Sequence, residues 1–225
     1  MYKRQVQDLG LYKKGMMQKI FSQEIRFKDD NGCEYPEWLK KKVLDVGKVI
    51  TGSTPSKEIK DYYTEKSDEI SYAWITPTDI STNRDIRCGN TSLTLKGYDV
   101  VRKLPKNSVL VTCIASIGKN AILRNEGSCN QQINAIIPNE QNYSEFLYYT
   151  MEFNSNKLKK FAGMTATPIL NKSDFSNLVF KFPCLQEQTK IANFLSNIDS
   201  IIEEEKNKLE DLRQWKKGLL QQMFV

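Results

Sequence analysis

Residues 8–21 read DLGLYKKGMMQKIF, and residues 211–224 read DLRQWKKGLLQQMF. Asp8, Leu9, Lys13, Lys14, Gly15, Gln18 and Phe21 recur as Asp211, Leu212, Lys216, Lys217, Gly218, Gln221 and Phe224, a constant offset of 203 positions (211 minus 8). Tyr12/Trp215, Met16/Leu219, Met17/Leu220 and Ile20/Met223 exchange one apolar side chain for another. A repeat whose period nearly equals the chain length points to one full unit of a larger head-to-tail object, plus a short overlap. The plainer alternative is two unrelated amphipathic helices of similar composition.

The second copy closes a long helical stretch. Ile191, Ile198, Glu205, Leu212 and Leu219 lie seven apart, and Leu195, Ile202, Leu209, Lys216 and Met223 form a second seven-residue series. The two series interlock at spacings of four and three, as in a coiled-coil seam. Glu205 and Lys216 interrupt it, and the solvated charge run EEEKNKLED (residues 203–211) surrounds the first of them. A helix of about 38 residues is roughly 57 Å long. Its apolar stripe is too narrow for a core helix, so an antiparallel partner is expected, and residues 1–23 carry a shorter version of the same surface. Leu9, Tyr12, Met16, Met17 and Ile20 sit near helical spacing there. Gly15 inside that helix costs about 1 kcal/mol against Ala. Its recurrence as Gly218 suggests a close helix–helix approach, unless it is a tolerated glycine on a solvated face.

Four zones follow. Residues 1–23 are the tail of a helix. Residues 24–36 (EIRFKDDNGCEYP) are a polar connector, with a turn signal at Asp30-Asn31-Gly32 and a breaker at Pro36. Residues 37–183 are mixed, and residues 184–225 are helical. In the mixed zone, Tyr72–Ile75, Ser108–Ile114, Ala121–Leu123, Ile133–Ile137 and Leu178–Phe182 read as strands, rich in Val, Ile and aromatics and bounded by Gly, Asn and Pro. Trp38–Leu44 and Ser144–Phe161 read as helices. The fold class is therefore α+β: one mixed α/β domain with a bent sheet, plus long spacer helices forming an antiparallel coiled coil.

Composition narrows the chemistry. The 225-residue chain suits one substantial domain with appended helices. No apolar run approaches the roughly 20 residues that span a bilayer, and MYKRQVQDLG lacks the apolar core of a signal peptide. Five scattered cysteines, none spaced C-x-x-C, fit reduced, mostly buried thiols in a cytoplasmic protein. With no histidine in the chain, Ser-His-Asp and Cys-His nucleophiles and His-ligated metals are excluded within it. A net charge of +6 leans mildly toward a polyanionic partner. Ser116-Ile117-Gly118-Lys119 is similar to the end of a P-loop, but Cys113 stands where that motif needs Gly and Asn120 where it needs Ser or Thr. There is no Asn-Pro-Pro-aromatic run of an adenine methyltransferase. Glu58-Ile59-Lys60 has the E-x-K spacing of one nuclease type without an upstream acid pair.

In order along nearly the whole chain, the motifs resemble the specificity (S) subunit of type I restriction–modification enzymes. WLKKKVLDVGKVITGSTPS (Trp38 to Ser56) resembles the opening of a target recognition domain, with its G-x-T-P-S turn. Tyr62-Tyr63, Trp74-Ile75, Thr78-Asp79-Ile80, Leu104-Pro105, Ser108-Val109-Leu110, Ser116-Ile117-Gly118-Lys119 and Asn130-Gln131-Gln132-Ile133 follow. Gly163-Met164-Thr165 resembles the family's Gly-Ser-Thr turn. Pro183-Cys184-Leu185-Gln186-Glu187-Gln188, Lys190-Ile191-Ala192 and Asp199 resemble the start of its long spacer helix, which ends in Trp215-Lys216-Lys217-Gly218-Leu219-Leu220. Family members usually carry two recognition domains, each followed by a long helix. This chain has one, so it resembles a half-length subunit: residues 1–21 as the end of the central helix, residues 204–224 as the end of the C-terminal one. The missing half is expected either before Met1 or in a second copy of the chain.

The resemblance implies a cytoplasmic bacterial or archaeal protein, itself non-catalytic, that reads one half of a bipartite DNA target and takes part in phage defence. It implies docking to modification subunits that methylate adenine with S-adenosylmethionine, and to restriction subunits using ATP and magnesium, with no cofactor in this chain. A homodimer of half subunits is a further implied partner. Base edges are read by Arg or Lys on guanine and Asn or Gln on adenine, with hydroxyls as adapters. Candidate contacts fall in four loops: Thr51, Ser53, Thr54, Ser56 and Lys57; Thr78, Asp79, Thr82, Asn83, Arg84 and Arg87; Ser116, Lys119 and Asn120; and Thr165, Thr167, Asn171 and Lys172. Arg84 and Lys119 are the leading two, and Asn130-Gln131-Gln132 either joins them or supports the sheet. Helix pairing and partner docking fall to Tyr12, Met16, Ile20, Ile191, Leu195, Ile198, Ile202, Leu209, Leu212, Trp215, Leu219 and Met223. Two other classes stay open: a coiled-coil protein-interaction module, and a small metal-dependent nuclease.

Overall fold

A computed structural model describes residues 2–64, 71–163 and 168–223, without the side chains of Tyr2 and Met223. The elements run α1 (Tyr2–Phe21), β1 (Leu39–Lys42), α2 (Val43–Val46), β2 (Gly47–Thr51), a 3-10 turn (Lys60–Tyr62), β3 (Tyr63–Thr64), β4 (Tyr72–Ile75), β5 (Asp85–Ile86) and β6 (Thr91–Leu93). They continue α3 (Leu95–Asp99), β7 (Ser108–Thr112), β8 (Asn120–Leu123), β9 (Gly127–Cys129), β10 (Ile133–Pro138), α4 (Ser144–Phe153), α5 (Ser155–Phe161), α6 (Lys172–Asn177), β11 (Val179–Phe182) and α7 (Leu185–Met223). Two compact units result: a helical unit, Met1–Glu34 with Lys190–Val225, and a central unit, Tyr35–Thr189.

In the central unit the strands divide among three sheets. The largest has the order β2-β10-β7-β8-β5, antiparallel except where β5 runs parallel to β8. The second has the order β3-β6-β4-β9, with β4 and β9 parallel. Every residue of β7 and β8 is buried, which is why these strands read as continuous apolar runs without polar alternation. Ala73 and Ile75 of β4 and Cys129 of β9 pack with Leu110, Leu123, Ile133 and Ala135, joining the two sheets through one core. Each fully buried Leu or Ile there contributes about 1.5–3 kcal/mol. Helix α4 packs on β7 and β8, where buried Asn120 donates from Nδ2 to the Tyr148 carbonyl at 2.8 Å.

The third sheet pairs β1 with β11 antiparallel, Leu39 opposite Phe182. This corrects the helix expected over Trp38–Leu44. The apolar spacing there was misleading, because Leu39 and Leu44 are exposed while Trp38 and Val43 turn inward. The Trp38 ring meets Phe146 edge-on and its Nε1 donates to Glu187 Oε2 at 3.1 Å. Only Val43–Val46 is helical. The helix expected over Ser144–Phe161 is likewise two helices, broken at Asn154, whose Nδ2 donates to the Thr150 carbonyl.

Glu187 and Gln188, in the motif that opens α7, are fully buried. Gln188 Nε2 donates to the carbonyl of Pro183 at 3.0 Å, and its Oε1 accepts from the Tyr143 amide at 3.0 Å. The side chain thus fixes the start of α7 by satisfying backbone groups around it.

In the helical unit, α1 and α7 run antiparallel. Lys13 pairs with Asp199 at 2.8 Å, Phe27 meets Phe194 edge-on at 5.6 Å, and Asp30 pairs with Lys190 at 2.6 Å. Met17, Ile20, Ile191, Leu195 and Ile198 are buried, Met16, Ile202 and Leu209 half-buried, and Tyr12, Leu212, Trp215 and Leu219 exposed. Met223 has its side chain outside the described atoms. Glu205 is buried in the seam, one oxygen held by Lys208 at 2.8 Å and Oε2 without a hydrogen-bond partner among the described residues. The close approach suggested by Gly15 and Gly218 is absent: a Cβ at either position meets nothing within 4 Å among the described residues. No described helix is long and apolar enough to cross a membrane.

Candidate nucleic-acid interface

The antiparallel order brings the end of β2, the start of β10, the end of β7 and the start of β8 to one end of the large sheet. The parallel pairs β4–β9 and β5–β8 add the end of β4 and the loop that precedes β5. The first three candidate loops leave or enter strands at this end, and the last, between α5 and α6, reaches it through the Ile114–Ile169 bridge.

One turn, Asn130-Gln131-Gln132, with its flanking residues, ties the first three together, and the last joins through Cys113. From the first loop, Gly52 N donates to Ile133 O at 3.0 Å, Ser53 N donates to Cys129 O at 2.8 Å, and Thr54 bonds Gln131 through its hydroxyl. Toward the second loop, Asn130 N donates to Ile75 O at 2.9 Å. Toward the third, Cys113 N donates to Gln132 O at 2.8 Å, and Leu170 N from the last loop donates to Cys113 O at 2.9 Å. Asn130 Oδ1 accepts from the Gln132 amide, which fixes the turn from within. The Asn-Gln-Gln block therefore supports the sheet end through Asn130 and Gln132, while Gln131 is exposed.

Each loop has a local reason for its shape. Gly52 approaches the turn so closely that a Cβ would lie 2.2 Å from both Asn130 O and Cys129 O. Gly118 takes φ +85 in the third loop, a left-handed conformation that glycine adopts without strain. Asp79 caps the second loop, accepting from Thr76 N, Thr76 Oγ1 and Asn90 N within 2.8 Å. Asn171 caps α6 by accepting from Asp174 N at 2.8 Å.

The sequence candidates divide by what their side chains already hold. Thr51 bonds Asn134 at 2.6 Å, and Ser53 Oγ accepts from Arg102 N at 2.9 Å. Ser116 offers its carbonyl to Thr112, and Asn120 is buried. Arg84 is half-buried, donating to Asp85 at 3.0 Å and to the Tyr149 hydroxyl at 3.3 Å. Burial alone would lower its pKa, but Asp85 and Tyr149 outweigh that and raise it. Burial would raise Asp85, but Arg84 and Arg124 hold its carboxyl below the ordinary value. Arg124 also pairs with Glu145 of α4 at 2.8 Å, so this network anchors β5 and the loop before it.

Ser56, Lys57, Thr78, Thr82, Asn83, Lys119, Asn171 and Lys172 are exposed at the gathered end. Arg87 is also exposed, but it follows β5 toward the far end of β8, where its carbonyl accepts from Asn125. Its side chain still lines a surface cleft with Thr78, Asp79, Asn83 and Asn90. Thr165 and Thr167, and Met164 of the Gly163-Met164-Thr165 turn, lie outside the described residues. Arg102, which the sequence did not single out, braces the first loop by donating to Thr51 O at 2.8 Å. Nothing local marks it, because its partners lie some 50 residues upstream.

Two of the five cysteines, Cys33 and Cys88, are exposed rather than buried. Burial pushes the Cys113 thiol up to about 11 and Cys129 up to about 12. Glu58 and Lys60, the E-x-K pair, are both exposed. Among the described residues no three His, Cys, Asp or Glu side chains converge as a metal site.

The family model described as "Type I restriction modification DNA specificity domain" matches residues 35–214. The MjaIX specificity subunit of a type I restriction enzyme from Methanocaldococcus jannaschii is 34% identical over 212 residues, 91% of this chain and 48% of its own length. The HindI specificity subunit from Haemophilus influenzae is 34% identical over 144 residues, 63% of this chain and 31% of its own length. This chain therefore spans about half the length, or less, of these relatives. The crystal structure of the HsdS subunit from Thermoanaerobacter tengcongensis superposes with a TM-score of 0.68 at 16% identity, over 99% of this chain and 52% of that one. The type I S subunit from M. genitalium gives 0.62 at 18% identity, over 89% and 48%. These structures share the fold.

Proposed function

Because the chain belongs to the type I restriction–modification DNA specificity family, we propose that its central unit reads one half of a split target in duplex DNA. The observation that carries this is the convergence of the candidate loops on the Asn130-Gln131-Gln132 turn. Loops so tied hold their side chains at fixed spacing without DNA, which lowers the ordering cost of binding. Lys57, Lys119 and Lys172 are suited to phosphates, which position the unit, and Asn83, Gln131 and the exposed hydroxyls to base edges, which specify sequence. Arg84, already committed to Asp85 and Tyr149, serves as a brace for the second loop.

The chain acts as a recognition component without chemistry of its own. Its helices dock modification subunits that methylate adenine with S-adenosylmethionine, and restriction subunits using ATP and magnesium join that core. A helix of 39 residues is about 58 Å long. That exceeds one DNA turn of about 34–36 Å, so two reading units at its ends would face half-sites separated by a gap. The second reading unit comes from a longer chain or from a second copy paired two-fold, which would read a palindromic split target.

Methylation mapping in cells with and without this chain, in the presence of its modification subunits, tests the whole reading. One bipartite motif should lose methylation when the chain is removed. An unchanged pattern would refute the assignment.

A further inference from the structure

We propose that α1 and the last turns of α7 are interchangeable occupants of one groove, so that α1 keeps the chain apart from a second copy whose residues 211–223 would take its place. This rests on the pairing of two copies suggested above, but not on DNA reading.

The groove is the first half of α7 within the helical unit. There Ile191, Leu195 and Ile198 are buried, as are Met17 and Ile20 of α1. Lys13 reaches Asp199 at 2.8 Å, with side chains only 13% and 25% exposed. The 203-residue offset carries Lys13, Met17 and Ile20 to Lys216, Leu220 and Met223, keeping the charge and both apolar positions. Leu212, Trp215, Leu219 and Leu220 are meanwhile 40–66% exposed. One end of the chain thus fills a seat, and a close copy of it at the other end has none among the described residues.

Two-fold symmetry closes on this register. If Lys216 of a second copy takes the place of Lys13 opposite Asp199, the axis crosses α7 at (216 + 199)/2, between Asn207 and Lys208. Residues 192–199 of each chain then face residues 216–223 of the other, and both tails are seated at once. An isologous interface of this kind is self-complementary and stops at two. α1 competes from within the same chain, where short tethers give effective concentrations of about millimolar. A second copy at micromolar concentration loses that contest, so the unaltered chain stays monomeric until α1 is weakened.

The test is sedimentation of the full chain at micromolar concentration without DNA, with helix content followed by circular dichroism. The unaltered chain should sediment at 26.0 kDa. The double variant Met17→Ala, Ile20→Ala trims the seat without charging it, and should dimerise at least about tenfold more tightly. Adding Leu220→Asp should return it to monomer, whereas Leu11→Asp, on the exposed side of α1, should not. A labelled peptide of residues 204–223 bound to the alanine variant should be displaced by a peptide of residues 2–23. A helical alanine variant that stays monomeric, a dimer that survives Leu220→Asp, or peptides that do not compete would each overturn the proposal. DNA binding by the same variants reads the central unit separately, so loss of one reading leaves the other standing.

Discussion

Gly52→Ala places the sharpest strain on the loop cluster. An added Cβ would lie 2.2 Å from two backbone carbonyl oxygens, Asn130 O and Cys129 O. Ordinary contact begins near 3.4 Å, so one backbone must move by about 1.2 Å (3.4 minus 2.2). No rotamer relieves this, because both obstacles are main chain. A shift of that size carries Gly52 N–Ile133 O, now 3.0 Å, and Ser53 N–Cys129 O, now 2.8 Å, beyond hydrogen-bond range. Two bonds at about 1 kcal/mol each, plus desolvation of a buried amide, come to about 3 kcal/mol. For a chain of this size that lowers Tm by about 6–12 °C. Calorimetry reads the shift, and anisotropy with a cognate duplex reads the loop; both stability and binding should fall. A Tm unchanged within error would mean that the turn does not hold the first loop, and the clustering of the loops would lose its basis.

Gly15→Ala makes the opposite test, since its Cβ meets open space in α1; helix propensity should raise stability by about 1 kcal/mol, measured as a higher Tm. Glu205→Leu removes a buried carboxylate with one unsatisfied oxygen from the seam, and should raise Tm by about 2–4 °C. Lys119→Ala should weaken binding to all duplexes alike and reduce the slope of log affinity against log salt by about 1, as a phosphate contact does; a changed base preference would assign it to a base instead. Asp85 has its pKa lowered by Arg84 and Arg124 against burial. Its stabilisation is therefore present above the unfolded value of about 3.9 and lost as pH falls through the lower folded value. An acid titration of stability should be flatter in that window for Asp85→Asn than for the unaltered chain.

The helical ends were legible because their signal is local. Heptad spacing from Ile191 to Met223 needs only neighbours three and four residues away, and α7 spans Leu185–Met223 as read. β4, β7, β8, β10 and β11 were equally legible as short apolar runs, whereas the short buried β9 (Gly127–Cys129) and β6 (Thr91–Leu93) were not read. Trp38–Leu44 was not, since its strand pairing depends on Val179–Phe182, some 140 residues later. For the same reason the loops could be named as turns but not sorted. Whether Thr54 faces solvent or Gln131, or Arg84 faces DNA or Tyr149, is set by partners 77 and 65 positions away. In α1, Met17 and Ile20 are buried, Met16 is half-buried and Tyr12 is exposed. Met16 and Met17 both fit the period, and only the partner helix chooses between them.

Selection of the intact chain on a pool of randomised duplexes, at low salt, tests the reading unit most directly. Enrichment of one short motif is expected, with affinity for it falling steeply with salt and exceeding that for unrelated duplexes by about 10³ or more. A pool that returns unenriched, with equal affinity for every sequence, would contradict sequence reading by the central unit.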